Sequence, residues 1–352
     1  MNYTRPTVAT MRGYKAGFQP DPKERYIKLN SNENPYPPSP KVKEALASLS
    51  YEDLRLYPDP MSVELREKLG RLYGFSPEEI ICGNGSDDIL NTIIRTFVEP
   101  GEVICFHEPT FPLYRILGII QSAKVISIPI SEPYQNPPFP PKDCKVFFLA
   151  NPNSPVGFAY STQEVQNFAE NIRGILVVDE AYAEFARENA LELVRHFQNV
   201  LVVRTVSKSY ALAGLRLGYA IGSRNLIREM FKVKDPFNVT RLTQILVSAA
   251  LEDTIYVTNK INEIISTREW FTQEIRNLGY RVIPSQGNFI FPKPPVGKKG
   301  IRFYEKLLEK KVLTRHYDQE GLCDGVRMTI GTPEEMRQVL DIMKNILPEF
   351  QL

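Results

Sequence analysis

The sequence predicts an α/β fold, with a large domain on a mostly parallel sheet covered by helices and a smaller α+β domain after it. Two observations lead there. Between residues 75 and 222, short runs of Val, Ile, Leu and Phe alternate with helical patterns, and each run is apolar throughout, as strands buried on both faces are. Beyond residue 254 the pattern changes to one long half-buried helix and then to mixed short strands and helices. A chain of 352 residues has the length for both units.

Residues 1–39 are rich in Pro, Asn and Tyr, and the stretch Leu29-Asn-Ser-Asn-Glu-Asn-Pro-Tyr-Pro-Pro38 is dense in turn formers, so it reads as an ordered extended arm that joins the small domain. Ser39 caps a helix with Pro40 in its first turn. A second helix is expected over 62–73, after the exposed turn Leu56-Tyr-Pro-Asp-Pro60. Helix 89–97 follows the turn Cys82-Gly-Asn-Gly-Ser-Asp-Asp88. Strands are expected at 103–106, 124–128, 146–150, 175–178, 200–204 and 217–221. Asp235-Pro-Phe-Asn-Val-Thr240 interrupts the pattern and marks the exit from the large domain, taken as residues 40–250. A helix over 254–278 bridges to the small domain within 251–352, with strands near 281–283, 288–291 and 326–330 and helices near 300–310 and 332–346.

Composition narrows the function. With 43 basic and 41 acidic residues the formal charge is +2, too small a field to favour nucleic acid or a membrane surface, so small molecules are the expected partners. Four cysteines, Cys82, Cys105, Cys144 and Cys323, show no paired spacing and suit reduced thiols; no metal site is expected. The chain has no apolar leader-like stretch at Met1-Asn-Tyr-Thr-Arg-Pro6 and no run of about 18 apolar residues, which reads as cytoplasmic.

The chemistry centres on Val202-Val-Arg-Thr-Val-Ser-Lys-Ser-Tyr-Ala-Leu-Ala-Gly-Leu-Arg216. Lys208 lies between an apolar strand and a small-residue turn; a lysine desolvated beside other cations loses its proton readily and becomes a nucleophile. Thr205, Ser207 and Arg216 are the group types that bind phosphate. Gly85, Ser86 and Asp87 stand where a helix begins, so their amides offer a second side to such an anion. A lone Ser-Lys after a strand is also an ordinary solvated loop, and Gly-Ser-Asp an ordinary cap. Arg327 sits in an apolar strand, where a guanidinium needs an anion or an acid to meet it.

Asp179 in Val177-Val-Asp-Glu-Ala-Tyr182, then Lys208 and Arg216, in this order, resemble the active-site signature of the fold type I, class II aminotransferases that use pyridoxal 5'-phosphate; within that family the chain is similar to the histidinol-phosphate aminotransferases. The resemblance runs from Leu29 to Thr332. It implies that Lys208 forms the Schiff base and carries the proton, that Asp179 holds the ring nitrogen protonated with Glu180 as the competing acid, and that Tyr182 meets the phenolic oxygen. Asn151-Pro-Asn-Ser-Pro-Val-Gly157 is similar to a family stretch whose asparagine meets that oxygen; Asn153 is the expected donor and Ser154 the alternative. Phe111 falls at the ring-stacking position. Gly85, Ser86, Asp87, Thr205, Ser207 and Arg216 would hold the cofactor phosphate, with Tyr57 reaching it from the other subunit of a homodimer unless that tyrosine only anchors its loop. Tyr14, Arg315 and Arg327 would hold the substrate anion. The implied reaction, in histidine biosynthesis, moves an amino group between histidinol phosphate and 2-oxoglutarate, giving imidazole acetol phosphate and glutamate. Aromatic amino-acid transamination and threonine-phosphate decarboxylation are the alternatives on the same scaffold.

Overall fold

A computed structural model describes residues 3–14, 17–21, 23–295 and 300–350 of the chain. Its centre is a seven-stranded sheet, here numbered β1 (Ile80–Asn84), β2 (Val103–Glu108), β3 (Lys124–Pro129), β4 (Cys144–Ala150), β5 (Ile175–Asp179), β6 (Val200–Thr205) and β7 (Leu217–Gly222), in the spatial order β1-β7-β6-β5-β4-β2-β3. The pairs β3·β2, β2·β4, β4·β5 and β5·β6 are parallel, while β7 runs antiparallel to both β1 and β6. Six strands fall where the apolar runs predict them. β1 is additional: Ile80-Ile-Cys-Gly-Asn84 has only three apolar residues before a glycine, too short a run to stand out.

Both faces of the sheet are buried, which is why its strands do not alternate. Val177, Val203 and Ala220 pack with Ile81, Ile89 and Ile93 on one side, and Val178, Val202 and Ile221 pack into the larger cluster on the other. The helix Ser86–Phe97 supplies the first face through Ile89, Leu90, Ile93 and Ile94, buried at the three- and four-residue spacing of one helical stripe.

The helix Arg241–Leu251, capped by Thr240, was not foreshadowed by the break at 235–240. The long helix Thr254–Asn277 buries Val257, Ile261, Ile264, Phe271 and Ile275, and its Arg268 donates to the carbonyls of Phe185 and Gly287 at 3.3 and 2.8 Å. Later strands are short: Phe289–Ile290, Val326–Thr329 and Arg315–His316 form one antiparallel sheet, in which Val326–Thr329 is central. The arm reaches this region, since Ile27–Lys28 pairs in parallel with Val312–Leu313. It is not extended throughout, because Pro6–Thr10 forms a short helix with proline at its first position.

Candidate active site

Ligands of parallel sheets bind beyond the carboxyl ends of the strands. Here β5 ends at Asp179, β6 at Thr205, β4 at Ala150 and β2 at Glu108, all on one edge. The reversed strand β7 contributes its amino end to that same edge, and so delivers Arg216. A cleft of about 550 Å³ opens there. Its walls carry six basic side chains, Arg12, Arg115, Lys208, Arg216, Arg315 and Arg327, against two acidic ones, Asp87 and Asp179. Such walls suit a multiply charged anion.

Asp179 and Glu180 are neighbours in sequence and point apart, as successive residues at a strand end do. Glu180 is fully buried and taken: Arg204 donates to it from Nε at 2.8 Å and Nη2 at 2.6 Å, and the amide of Ala190 also donates to it. Asp179 faces the cleft. Its Oδ2 accepts from the Tyr114 hydroxyl at 2.7 Å and its Oδ1 from the Ala181 amide at 3.2 Å, and it makes no ion pair among the described residues. Burial raises its pKa to about 6, against the lowering effect of these two hydrogen bonds. A nearly buried carboxylate without a cation fits a ligand that brings one, such as a protonated ring nitrogen.

Lys208 lies on the cleft wall, with Nζ donating to the Ser31 carbonyl at 3.2 Å and 6.0 Å from the centre of the Tyr182 ring. Burial first, then the positive charges of Arg327 and Arg216, lower its pKa to about 8, so a useful fraction of the amine is neutral near physiological pH. Beside it, Thr205 Oγ1 bonds Ser207 Oγ at 2.9 Å and the Leu217 carbonyl at 2.7 Å, closing the turn between β6 and β7. Ser86 and Asp87 line the cleft at the start of a 12-residue helix whose first amides have no helical partner. Gly85, at φ 86°, does not line the cleft itself but makes the approach possible: a Cβ there would lie 2.5 Å from Arg216 Nη2. Gly218 does the same from β7, where a Cβ would lie 2.2 Å from the Ser86 nitrogen. Arg216 itself holds φ 52° and bonds Asp87 Oδ2 at 3.2 Å; both side chains are about half exposed, so the pair costs little to open for an anion.

Arg315 and Arg327 stand directly opposite each other across their antiparallel strands, and both line the cleft. Arg327 donates from Nη1 to Ser154 Oγ at 3.2 Å and from Nη2 to the Asn30 carbonyl at 2.9 Å, while its buried Nε has no partner among the described residues. Phe111 and Tyr14 line the mouth together, edge to face at 6.3 Å.

Besides Gly85, two expected residues do not line the cleft. Asn153 turns away from the cleft: its Nδ2 donates to the Pro109 carbonyl at 3.0 Å and its Oδ1 accepts from the Val156 amide at 3.4 Å, which uses the side chain to brace the turn. The residue of that turn that reaches the wall is the alternative, Ser154. Tyr57 is 78 % exposed and stacks on Phe237 at 4.5 Å, outside the cleft of its own chain.

The sequence matches the model of the family "Aminotransferase class I and II" over residues 24–343. It is 47 % identical over 345 residues to a histidinol-phosphate aminotransferase of Citrifermentans bemidjiense, covering 98 % of each chain, and 46 % identical to one of Geobacter sulfurreducens, covering 97 % and 99 %. The chain belongs to the histidinol-phosphate aminotransferases of class I and II. Among solved structures, histidinol-phosphate aminotransferase from Sinorhizobium meliloti in complex with pyridoxal-5'-phosphate shares the fold at a TM-score of 0.84 and 24 % identity, covering 99 % of this chain and 97 % of that one.

In this aminotransferase the arm does more than its turn-forming composition suggests. Asn34 Nδ2 donates to the carbonyls of Lys208 and Ser209 at 3.0 and 3.2 Å, Ser31 accepts from Lys208, and Asn32 Nδ2 donates to the Tyr182 hydroxyl at 2.9 Å. The only sequence signal for these roles was the density of asparagines in Leu29-Asn-Ser-Asn-Glu-Asn-Pro35. Arg12, at the mouth, had no signal in the sequence. No helix among the described residues is long and apolar enough to cross a membrane.

Proposed function

We propose that the chain transfers an amino group between histidinol phosphate and 2-oxoglutarate, giving imidazole acetol phosphate and glutamate, with pyridoxal phosphate as cofactor. The observation that carries this reading is Arg315 facing Arg327 in register on the same cleft as Lys208. Two guanidiniums side by side meet a phosphate dianion with forked, charge-assisted hydrogen bonds, and the same pair accepts a carboxylate of glutamate. The near-full-length relatives named histidinol-phosphate aminotransferase support it.

When bound, pyridoxal phosphate supplies a carbonyl carbon for an amine and a protonated ring that accepts electrons. Lys208 Nζ would be the amine that holds the cofactor, and it is the group placed to move the proton at the substrate α-carbon. Asp179 keeps the proton on the ring nitrogen, and its lack of a cationic partner fits that task. Tyr182 and Ser154 would hold the phenolic oxygen, and Phe111 would cover the ring. The amides of Ser86 and Asp87, with Thr205, Ser207 and Arg216, take the cofactor phosphate, while Gly85 leaves it room. Tyr14 closes the substrate side beside Phe111. Residues 40–250 form the cofactor-binding domain and 251–352 the bridging helix and small domain, which the arm of 1–39 joins.

The test is a panel of amines assayed with 2-oxoglutarate. Histidinol phosphate should be the preferred donor, and Arg315→Ala should harm its turnover more than that of glutamate, since a dianion loses more than a monoanion with one of two partners. Preference for phenylalanine, release of carbon dioxide from threonine phosphate, or an indifferent Arg315→Ala would each refute the assignment.

The active form is a cytoplasmic homodimer in which Tyr57 reaches the cofactor phosphate of the partner. Its exposure, together with exposed Leu54, Leu56, Met61 and Phe237 around it, supports this. Mixing Tyr57→Phe with Lys208→Ala subunits should then restore activity in hybrid dimers that carry one intact site. Proven subunit exchange without recovery would exclude a shared site.

A further inference from the structure

We propose that Asn32 is a positioning residue for Tyr182, its side-chain amide fixing the direction in which the Tyr182 hydroxyl donates its proton, into the cleft. The inference rests on the reading above that the phenolic oxygen of pyridoxal phosphate lies at Tyr182. Asn32 is 1 % exposed and holds φ 54°, a conformation asparagine tolerates better than most residues. Its backbone is pinned from both sides: its amide donates to Thr329 Oγ1 at 3.0 Å, and its carbonyl accepts from Nδ2 of the fully buried Asn288 at 3.0 Å.

Thr329 Oγ1, having accepted from the Asn32 amide, donates its single proton to Asn32 Oδ1 at 3.1 Å. That bond orients the side chain, so the nitrogen Nδ2 faces the Tyr182 oxygen at 2.9 Å, where an amide nitrogen only donates. A hydroxyl that accepts there sends its own proton elsewhere. Tyr182 has Phe289 against its ring at 4.9 Å and the cleft on its open side, so the proton points to the cleft. The ionisable groups around Tyr182 are Lys208 above its ring, Tyr114 on Asp179 and Tyr317 beside Arg327; Glu33, whose charge bears on Lys208, is paired with Lys28 at 2.7 Å. None of them bonds Asn32.

The experiment titrates the visible absorption of the enzyme reconstituted with pyridoxal phosphate. A donor at the phenolic oxygen competes for the proton shared between that oxygen and the lysine-linked nitrogen, and so lowers the pH midpoint of the band. Asn32→Asp keeps the shape and tolerates φ above zero, but offers Tyr182 an acceptor and turns its proton away from the cleft. The midpoint should rise by about one unit more in the wild-type background than in Tyr182→Phe, which subtracts the plain effect of the added charge. Equal shifts in the two backgrounds overturn the proposal. Asn32→Gly, which accepts the backbone conformation and adds no charge, serves if the aspartate variant does not fold: a rise confined to the background with Tyr182 supports the proposal, and no rise or equal rises overturn it. A wild-type enzyme that gains no visible band with pyridoxal phosphate removes the cofactor reading and this inference with it, an outcome distinct from equal shifts.

Discussion

Lys208→Ala is expected to lower transamination by about five orders of magnitude or more while leaving the fold intact, because no other amine can take over a step that needs a covalent nucleophile and a proton carrier in one group. The other bases of the cleft are arginines, whose guanidiniums do not deprotonate in proteins. Borohydride reduction after addition of pyridoxal phosphate should label the Lys208 peptide in the wild type and no active-site peptide in the variant; a retained label would contradict the assignment. The apo protein gives a second check. A lysine whose folded pKa lies near 8, below its ordinary 10.5, is disfavoured as a cation by the fold. That cost is absent above the unfolded pKa, develops as pH falls from about 10.5 to 8 and is complete below. The alanine variant should therefore melt no lower than the wild type at pH 7.

Asp179→Asn should keep the cofactor bound yet lower turnover at least a hundredfold, about 3 kcal/mol in the barrier, because a neutral amide cannot hold a proton on the ring nitrogen. The carboxylate it replaces has its pKa raised to about 6 chiefly by burial, so the fold disfavours its charged form; that cost is absent below the ordinary 3.8, develops as pH rises from 3.8 to about 6 and is complete above. Asparagine removes that cost, and the apo variant should be at least as stable as the wild type above pH 6. Near-normal turnover would mean that another acid serves the ring, but Glu180 is committed to Arg204 on the far side. A cofactor analogue with a permanently charged ring nitrogen should recover part of the lost rate.

The places of the residues proposed to act through their own side chains were legible in the sequence. Asp179, Lys208 and Arg216 sit at strand ends, and strand ends follow from apolar runs that need no tertiary information. What stayed hidden was orientation. Asn153 and Ser154 are adjacent in a turn, and only the folded backbone decides that the serine reaches the wall while the asparagine bonds the Pro109 carbonyl. Ser31, Asn32 and Asn34 were hidden for another reason: they meet an amine, a hydroxyl and a backbone carbonyl some 150 residues away or more, and composition reports a turn without its partners. β1 was missed because its pairing with β7, not its own three apolar residues, makes it a strand.

The reversal of β7 has a consequence for the order in which the molecule acquires its abilities. Because β6 and β7 form a hairpin, Ser207, Lys208 and Arg216 lie on the one short connection that follows Thr205, which closes at small entropic cost. Every residue read here as touching the cofactor from its own chain falls between Gly85 and Arg216, whereas Arg315 and Arg327 come near the end of the sequence. A growing chain thus carries its own share of the proposed cofactor contacts before either arginine proposed for the substrate has been made. A ligand that binds only the folded form of that part of the chain would stabilise it by mass action before the rest is made.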